Sequence, residues 1–207
     1  MGPMSARPTA VVFDVGNVLY GWDPDSFIVR QIADDDARLR FIEDVDIYGW
    51  HDSLDGGRPH AEAAAELNEK FPQYAALISA WSDRFGETIT GPVPGVHAIV
   101  AELDAKGVPL FVITNFSAEF WPPFHEGERA FFARFADIVV SGEEKLLKPD
   151  PALYYRALDR FRLRPGQALF VDDREINVEG ALAVGMHGHL FTDAAGLRAR
   201  LEAEGLL

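Results

Sequence analysis

Asp14 and the pair Thr114-Asn115 end apolar runs, Lys148 precedes Pro149-Asp150-Pro151 at the start of a helical pattern, and the pair Asp172-Asp173 ends a further apolar run. In that order they supply a carboxylate, a hydroxyl beside an amide, an ammonium and paired carboxylates. These are the groups that handle a phosphoryl group, whose negative charge must be neutralised while a nucleophile attacks in line. A carboxylate nucleophile repels such a group unless a divalent cation bridges them, and Mg²⁺ favours oxygen ligands. Asp14 suits both nucleophile and metal ligand, and Asp173 offers a second carboxylate. Lys148 offers a fixed positive charge, and Thr114 with nearby backbone N–H groups can donate to phosphate oxygens. A single aspartate after a strand is common in turns. Four such sites in a consistent order are not.

The elements that must position these groups can be read from the apolar runs. Ala10–Phe13 stops at Asp14, Leu110–Ile113 at Thr114-Asn115, and Ala168–Val171 at Asp172-Asp173. Runs apolar on both faces fit buried parallel strands. Asp137–Val140 and Gly188–Phe191 are further strand candidates. Helical patterns lie between them, over Gly95–Lys106, Pro151–Phe161, Asn177–Val184 and Ala194–Glu204, with Gly107 and Gly185 placed as C-caps. The alternation predicts an α/β fold, a doubly wound Rossmann-like parallel sheet with helices on both faces, whose ligands sit beyond the carboxyl ends of the strands. Residues 23–90 break the alternation with helical patterns over Ala37–Asp44, His60–Phe71 and Tyr74–Phe85 and no convincing strand. They are read as a helical cap inserted after the first strand into a core of residues 9–22 and 91–207. The run Asp34-Asp35-Asp36 reads as a helix N-terminus.

Composition restricts the partners. The chain has 207 residues, 48% apolar and 25% charged, enough for a substantial core. Its net charge of −14 disfavours nucleic acid and anionic membranes, so an anionic substrate needs a local metal and lysine. There is no cysteine, which excludes thiol chemistry and disulfides. No apolar run is long enough to span a membrane. Met1–Pro8 lacks the layout of a signal peptide, and its Met1-Gly2-Pro3-Met4 start reads as a cloning remnant. A cytoplasmic protein is the expectation.

Four segments together resemble the motifs of the haloacid dehalogenase superfamily of aspartyl-phosphate hydrolases: Phe13-Asp14-Val15-Gly16-Asn17-Val18-Leu19, Ile113-Thr114-Asn115, Lys148-Pro149-Asp150 and Val171–Asn177. The resemblance covers Val11 to Phe191. It implies a Rossmann-like core with a mobile helical cap and a Mg²⁺-dependent phosphatase forming an aspartyl-phosphate on Asp14. It also implies Lys148 contacting phosphate and Asp14, Thr114 and Asn115 on the substrate side, and metal ligands from Asp14, Asp173 and the backbone carbonyl of Gly16. Asn177 stands where the family places a partner of the fourth motif, and the role of Asp172 stays open between ligand and supporting carboxylate.

Gly16 is the departure. Most phosphatases of the family carry there a second aspartate that moves the proton, an assistance worth roughly 10²–10⁴-fold. The Asp-x-Gly-Asn-Val form resembles a subgroup that includes sugar-1-phosphate phosphatases, whose substrate has a good leaving group. Asp23 and Asp25 are weak candidates to replace the acid; a loop or helix-cap role fits them better. Asn17 is read as shaping the turn that aims Asp14.

Trp50-His51 and Leu54-Asp55-Gly56-Gly57-Arg58 resemble a family loop over the active site, which makes His51 and Arg58 substrate-selecting candidates. Trp81, Phe85 and Tyr74 read as cap core. His187 and His189 have no third ligand nearby for zinc. The cluster Phe116, Phe120, Trp121, Phe124, Phe131 and Phe132 reads as packing, with pocket lining or a homodimer contact as further roles. Two other functions stay open: a 2-haloacid dehalogenase, opposed by Gly16-Asn17-Val18 and the surviving Asp173, and a non-catalytic regulatory protein binding a phosphoryl ligand.

Overall fold

The computed structural model describes residues 7–207, so the Met1-Gly2-Pro3-Met4 start lies outside the described residues. The chain runs through β1 (Ala10–Phe13), β2 (Tyr20–Trp22), α1 (Asp25–Ile28), α2 (Asp35–Val45), α3 (Ile47–Asp55), α4 (His60–Lys70), α5 (Ala75–Arg84) and β3 (Ile89–Pro92). It continues with α6 (Val96–Ala105), β4 (Leu110–Thr114), α7 (Trp121–Gly127), α8 (Arg129–Phe132), β5 (Asp137–Val140), α9 (Ser141–Glu144), α10 (Pro151–Phe161), β6 (Ala168–Asp172), α11 (Glu175–Ala183), β7 (His187–Leu190) and α12 (Ala194–Glu204).

Five strands form one parallel sheet in the order β5-β4-β1-β6-β7. Every residue of β1 is fully buried. Its side chains alternate between two apolar clusters, as a pleated strand covered on both faces requires. Val11 and Phe13 join Val112, Leu169 and Val171 beneath α6 and α12, through Ile99, Leu103, Leu197 and Leu201. Ala10 and Val12 join Phe111, Ile113 and Phe170 beneath α10 and α11, through Leu153, Tyr154, Ala157 and Ala181. The strands predicted from the apolar runs are present, with β7 one residue earlier than read. Gly107 and Gly185 follow α6 and α11 with φ of 72° and 90°, conformations that glycine adopts without strain.

The segment between β2 and β3 is helical, as its patterns predict, but its ends are not. Tyr20–Trp22 and Ile89–Pro92 pair as an antiparallel ribbon, with Tyr20 opposite Pro92 and Gly21 opposite Gly91. The expectation of no strand before residue 91 is therefore corrected at Ile89-Thr90. A second correction concerns the expected loop around Trp50–Asp55, which is the helix α3. Asp46 makes it one: in the left-handed conformation (φ 48°) it ends α2 and caps α3, its carboxylate accepting from Gly49 N at 3.3 Å. Asp34 caps α2 through Ala37 N at 2.8 Å, as the acidic run predicts.

Phe27, Phe41, Ile47, Trp50, Leu54, Ile78 and Trp81 bury the inner side of this segment, in an apolar cluster continuous with that of the sheet. The aromatic cluster beyond β4 packs in the same cluster. Among the described residues no helix is long and apolar enough to cross a membrane.

One polar joint fixes α3 to the sheet side. The fully buried Ser141 hydroxyl, at the end of β5, accepts from Phe116 N at 2.9 Å and donates to the carbonyl of Asp55 at 2.6 Å. Beside it Gly142 lies against the loop after β4: an added Cβ would meet Ala118 N at 2.4 Å and Phe116 O at 2.8 Å. Backbone cannot retreat as a side-chain tip can. Gly142→Ala is therefore expected to destabilise the fold by about 1–3 kcal/mol, read as a lower urea midpoint at unchanged slope.

Candidate active site

Asp14 follows β1 at its carboxyl end, and its backbone N–H donates to Val171 O of the neighbouring β6 at 2.9 Å. That bond sets Asp14 beside Asp172 because β1 and β6 run in register, Phe13 opposite Val171. The Asp14 carboxylate accepts from Val15 N through Oδ1 at 2.7 Å and pairs with Lys148 Nζ through Oδ2 at 2.8 Å. The same Nζ donates to Asp172 Oδ2 at 2.7 Å. Two carboxylates thus share one buried ammonium.

Each member is braced from behind. Asn115 clamps the main chain of Lys148: its Oδ1 accepts from Lys148 N at 2.9 Å, and its Nδ2 donates to Lys148 O at 3.3 Å. Asp172 accepts from Asn177 Nδ2 at 3.0 Å and Arg174 N at 2.9 Å. Tyr154 donates to the carbonyl of Asn177 at 2.7 Å. Asn17 sits at φ 55°, and its Oδ1 accepts from Trp22 N at 3.0 Å, closing the turn after Asp14.

Charge and burial oppose each other here. Burial pushes the Asp14 carboxyl up, to about 7, against the opposing pull of Lys148. Burial also works against the charge on Asp172, yet Lys148, Arg174 N–H and Asn177 hold it below the usual carboxylate range. Lys148 resists burial and stays above its ordinary value because both carboxylates face it. Burial and the adjacent Asp172 raise Asp173.

Asp14, Asp172 and Asp173 offer oxygens that all lie within 4.8 Å of one another. Three carboxylates against one ammonium leave surplus negative charge, and the donors are hard oxygens. Asn177 Oδ1 is also buried without a hydrogen-bond partner. A small divalent cation such as Mg²⁺ fits this donor set.

Next to the carboxylates is a cavity of about 130 Å³. Asp14, Gly16, Asn115, Lys148, Asp173 and Asn177 line one part of it. Trp22, His51, Asp52, Asp55, Phe85 and Ile89 line another, brought in by β2, α3, the turn after α5 and β3. Of the substrate-side residues read from sequence, Asn115 lines the cavity. Thr114 is 1% exposed, closes β4 and does not line it; its hydroxyl points to Asn115 O at 3.4 Å.

His51 lines the cavity, stacked between Trp22 at 5.0 Å and Phe85 at 5.4 Å. Arg58 does not; it pairs with Glu66 on the surface. Asp23 accepts from Asp25 N at 3.0 Å and Ser26 Oγ at 2.9 Å in the loop that leads into α1, within the loop or helix-cap role expected of it. Phe85 is both packing and lining.

Sequence reasoning passed over Asp55. It is 6% exposed, and burial, then Asp52 and Asp14, raise its carboxyl well above the usual range. Burial lowers His51 to about 4. His51 Nε2 lies 3.5 Å from Asp55 Oδ1, a contact between groups that both favour their uncharged forms. The signal available was the four-residue spacing of two polar groups, which puts them on one face of a helix.

The model of the haloacid dehalogenase-like hydrolases matches residues 8–185. The chain belongs to that family. This hydrolase is 27% identical over 193 residues to a sesquiterpene phosphatase of Aspergillus oryzae, covering 89% of this chain and 90% of the relative. It is 30% identical over 199 residues to acyl-CoA dehydrogenase family member 10 of Mus musculus, covering 86% of this chain but only 17% of that much longer protein. Its fold is that of a HAD family enzyme from Bacteroides thetaiotaomicron solved as a magnesium complex, with TM-score 0.68 and 17% identity over 91% of this chain and 95% of that one.

Lys148→Met tests the shared ammonium. Removing it leaves two buried carboxylates facing each other, a loss of about 3–5 kcal/mol. Asp14 then rises further above its unfolded value, and Asp172 loses the charge that holds it below its own. Groups raised in the folded state favour folding at low pH and lose that contribution as pH climbs. Unfolding curves should therefore show a larger loss at pH 8 than at pH 5.

Proposed function

We propose that this hydrolase is a Mg²⁺-dependent phosphatase of a small phosphorylated metabolite, working through an aspartyl-phosphate on Asp14. The observation that carries the reading is the Asp14 carboxylate, held 2.8 Å from Lys148 in a cavity wall within a cluster of three carboxylates. The magnesium-bound family structure and the phosphatase relative support it.

Asp14 attacks phosphorus, and water then hydrolyses the acyl-phosphate. Lys148 holds the Asp14 carboxylate and places positive charge where the transferred oxygens gather. Asp14, Asp173 and the carbonyl of Gly16 would hold the metal, which supplies charge neutralisation between the two anions. Asp172 is committed to Lys148 and Asn177 and serves as the support behind them. Asn115 acts by fixing Lys148. Residues 23–90 act as a cap over the core of residues 9–22 and 91–207. Substrates with good leaving groups, such as sugars phosphorylated at the anomeric carbon, suit the absence of a carboxyl at Gly16.

Hydrolysis of sugar phosphates, nucleotides and acyl phosphates, with Mg²⁺ or with EDTA, is the test. Activity should need the metal. Asp14→Asn should lower it by about 10⁴-fold or more without lowering stability appreciably. Halide release from 2-haloacids without metal, or turnover unchanged in Asp14→Asn, overturns the reading.

A further inference from the structure

We propose that Asp55 is the proton donor and acceptor of this reaction, filling from α3 the role that Gly16 leaves vacant; the assignment rests on the phosphatase reading above. Gly16 lines the cavity without a side chain. Among the described residues that line it, the carboxyls are those of Asp14, Asp52, Asp55 and Asp173. Asp14 and Asp173 belong to the acidic cluster. Asp52 is exposed. Asp55 alone combines burial with an unpartnered oxygen: its Oδ1 is buried and meets no hydrogen-bond partner.

A buried carboxyl oxygen without a partner is costly to keep unless something else uses it. Asp55 lines the cavity, so rotation of its carboxyl away from His51 can present an oxygen to a departing substrate oxygen there. The root of the side chain is fixed relative to the sheet, because the Asp55 carbonyl accepts from Ser141 Oγ at 2.6 Å. The charges around it favour a retained proton. Burial raises its pKa most, Asp52 and Asp14 add to that, and Lys148 and a hydrogen bond from the Ser117 backbone oppose them. His51, beside it, is lowered to about 4 by burial and has no imidazolium proton to give at neutral pH. Asp23 instead bonds Asp25 N and Ser26 Oγ just before and within α1, and neither it nor Asp25 lines the cavity.

The proton balance closes over two steps. In the first, an Asp14 oxygen bonds to phosphorus as the bond from phosphorus to the leaving oxygen breaks. The Asp55 proton passes to that oxygen, the alcohol departs, and Asp55 is left as carboxylate. In the second, water bonds to phosphorus while one of its protons passes to Asp55. The bond from phosphorus to Asp14 breaks, phosphate leaves, and both aspartates return to their starting states.

The experiment compares aryl and alkyl phosphates across a range of leaving-group pKa. Asp55→Asn keeps the size of the side chain but cannot donate or accept this proton. Its phosphorylation step should fall by 10²–10⁴-fold with alkyl phosphates and change little with p-nitrophenyl phosphate, whose leaving group needs no proton. With the aryl ester it should also show a burst of one equivalent of nitrophenol, because the second step then lacks its base. An added Cβ at Gly16 meets nothing within 4 Å, so Gly16→Asp in the Asp55→Asn background should restore alkyl ester hydrolysis. The wild type offers a measurement that needs no variant: its rate should depend only weakly on leaving-group pKa.

An equal loss across all esters in Asp55→Asn overturns the assignment. So does a steep leaving-group dependence in the wild type, or the selective alkyl defect appearing in His51→Gln and not in Asp55→Asn. These results leave the phosphatase reading standing. Absence of any metal-dependent ester hydrolysis in the wild type sinks both.

Discussion

The site depends on one buried ammonium. Lys148 is 4% exposed and lies within 2.8 Å of carboxylates from two neighbouring strands. Neither carboxylate could stay charged at that depth alone, and the ammonium could not stay charged without them. The requirement spreads outward. Lys148 needs Asn115 to hold its main chain, Asp172 needs Asn177 and the Arg174 N–H, and Asn177 is gripped by Tyr154 of α10. The parallel sheet supplies the rest, since adjacent strands in register deliver their last residues to one edge.

Much of this was legible in the sequence. A strand covered on both faces must be apolar throughout, so β1, β4 and β6 announce themselves, and the polar residue that stops each run marks the edge where ligands bind. Asp14 and Asp173 were read from those stops, Lys148 from its place before Pro149-Asp150-Pro151 and Asn177 from the fourth motif, and the structure brings them together. The different surroundings of Asp172 and Asp173 were less legible. They follow from which way two consecutive side chains leave the strand end, and the pleat points them apart.

The helical segment was legible only as helix. The pairing of β2 with β3 joins residues far apart in the chain, and Ile89-Thr90-Gly91-Pro92 carries turn residues that hide a strand. α3 depends on a left-handed Asp46 that ends one helix and starts the next, a conformation composition does not declare. Asp55 was missed for the same reason. In a loop it reads as a polar residue before two glycines. On a helix it shares a face with His51, and the burial that raises its carboxyl comes from packing between distant elements.

The Ser141 hydroxyl joins three pieces of backbone: the end of β5, the turn after β4 and the end of α3. If the helical segment swings away from the sheet, the bond to the Asp55 carbonyl is among the contacts that must break. Such a swing would part the Asp55 carboxyl from Asp14, which stays with its strand. On the reading that Asp14 attacks and Asp55 carries the proton, substrate entry and proton supply would then be tied to the same contact.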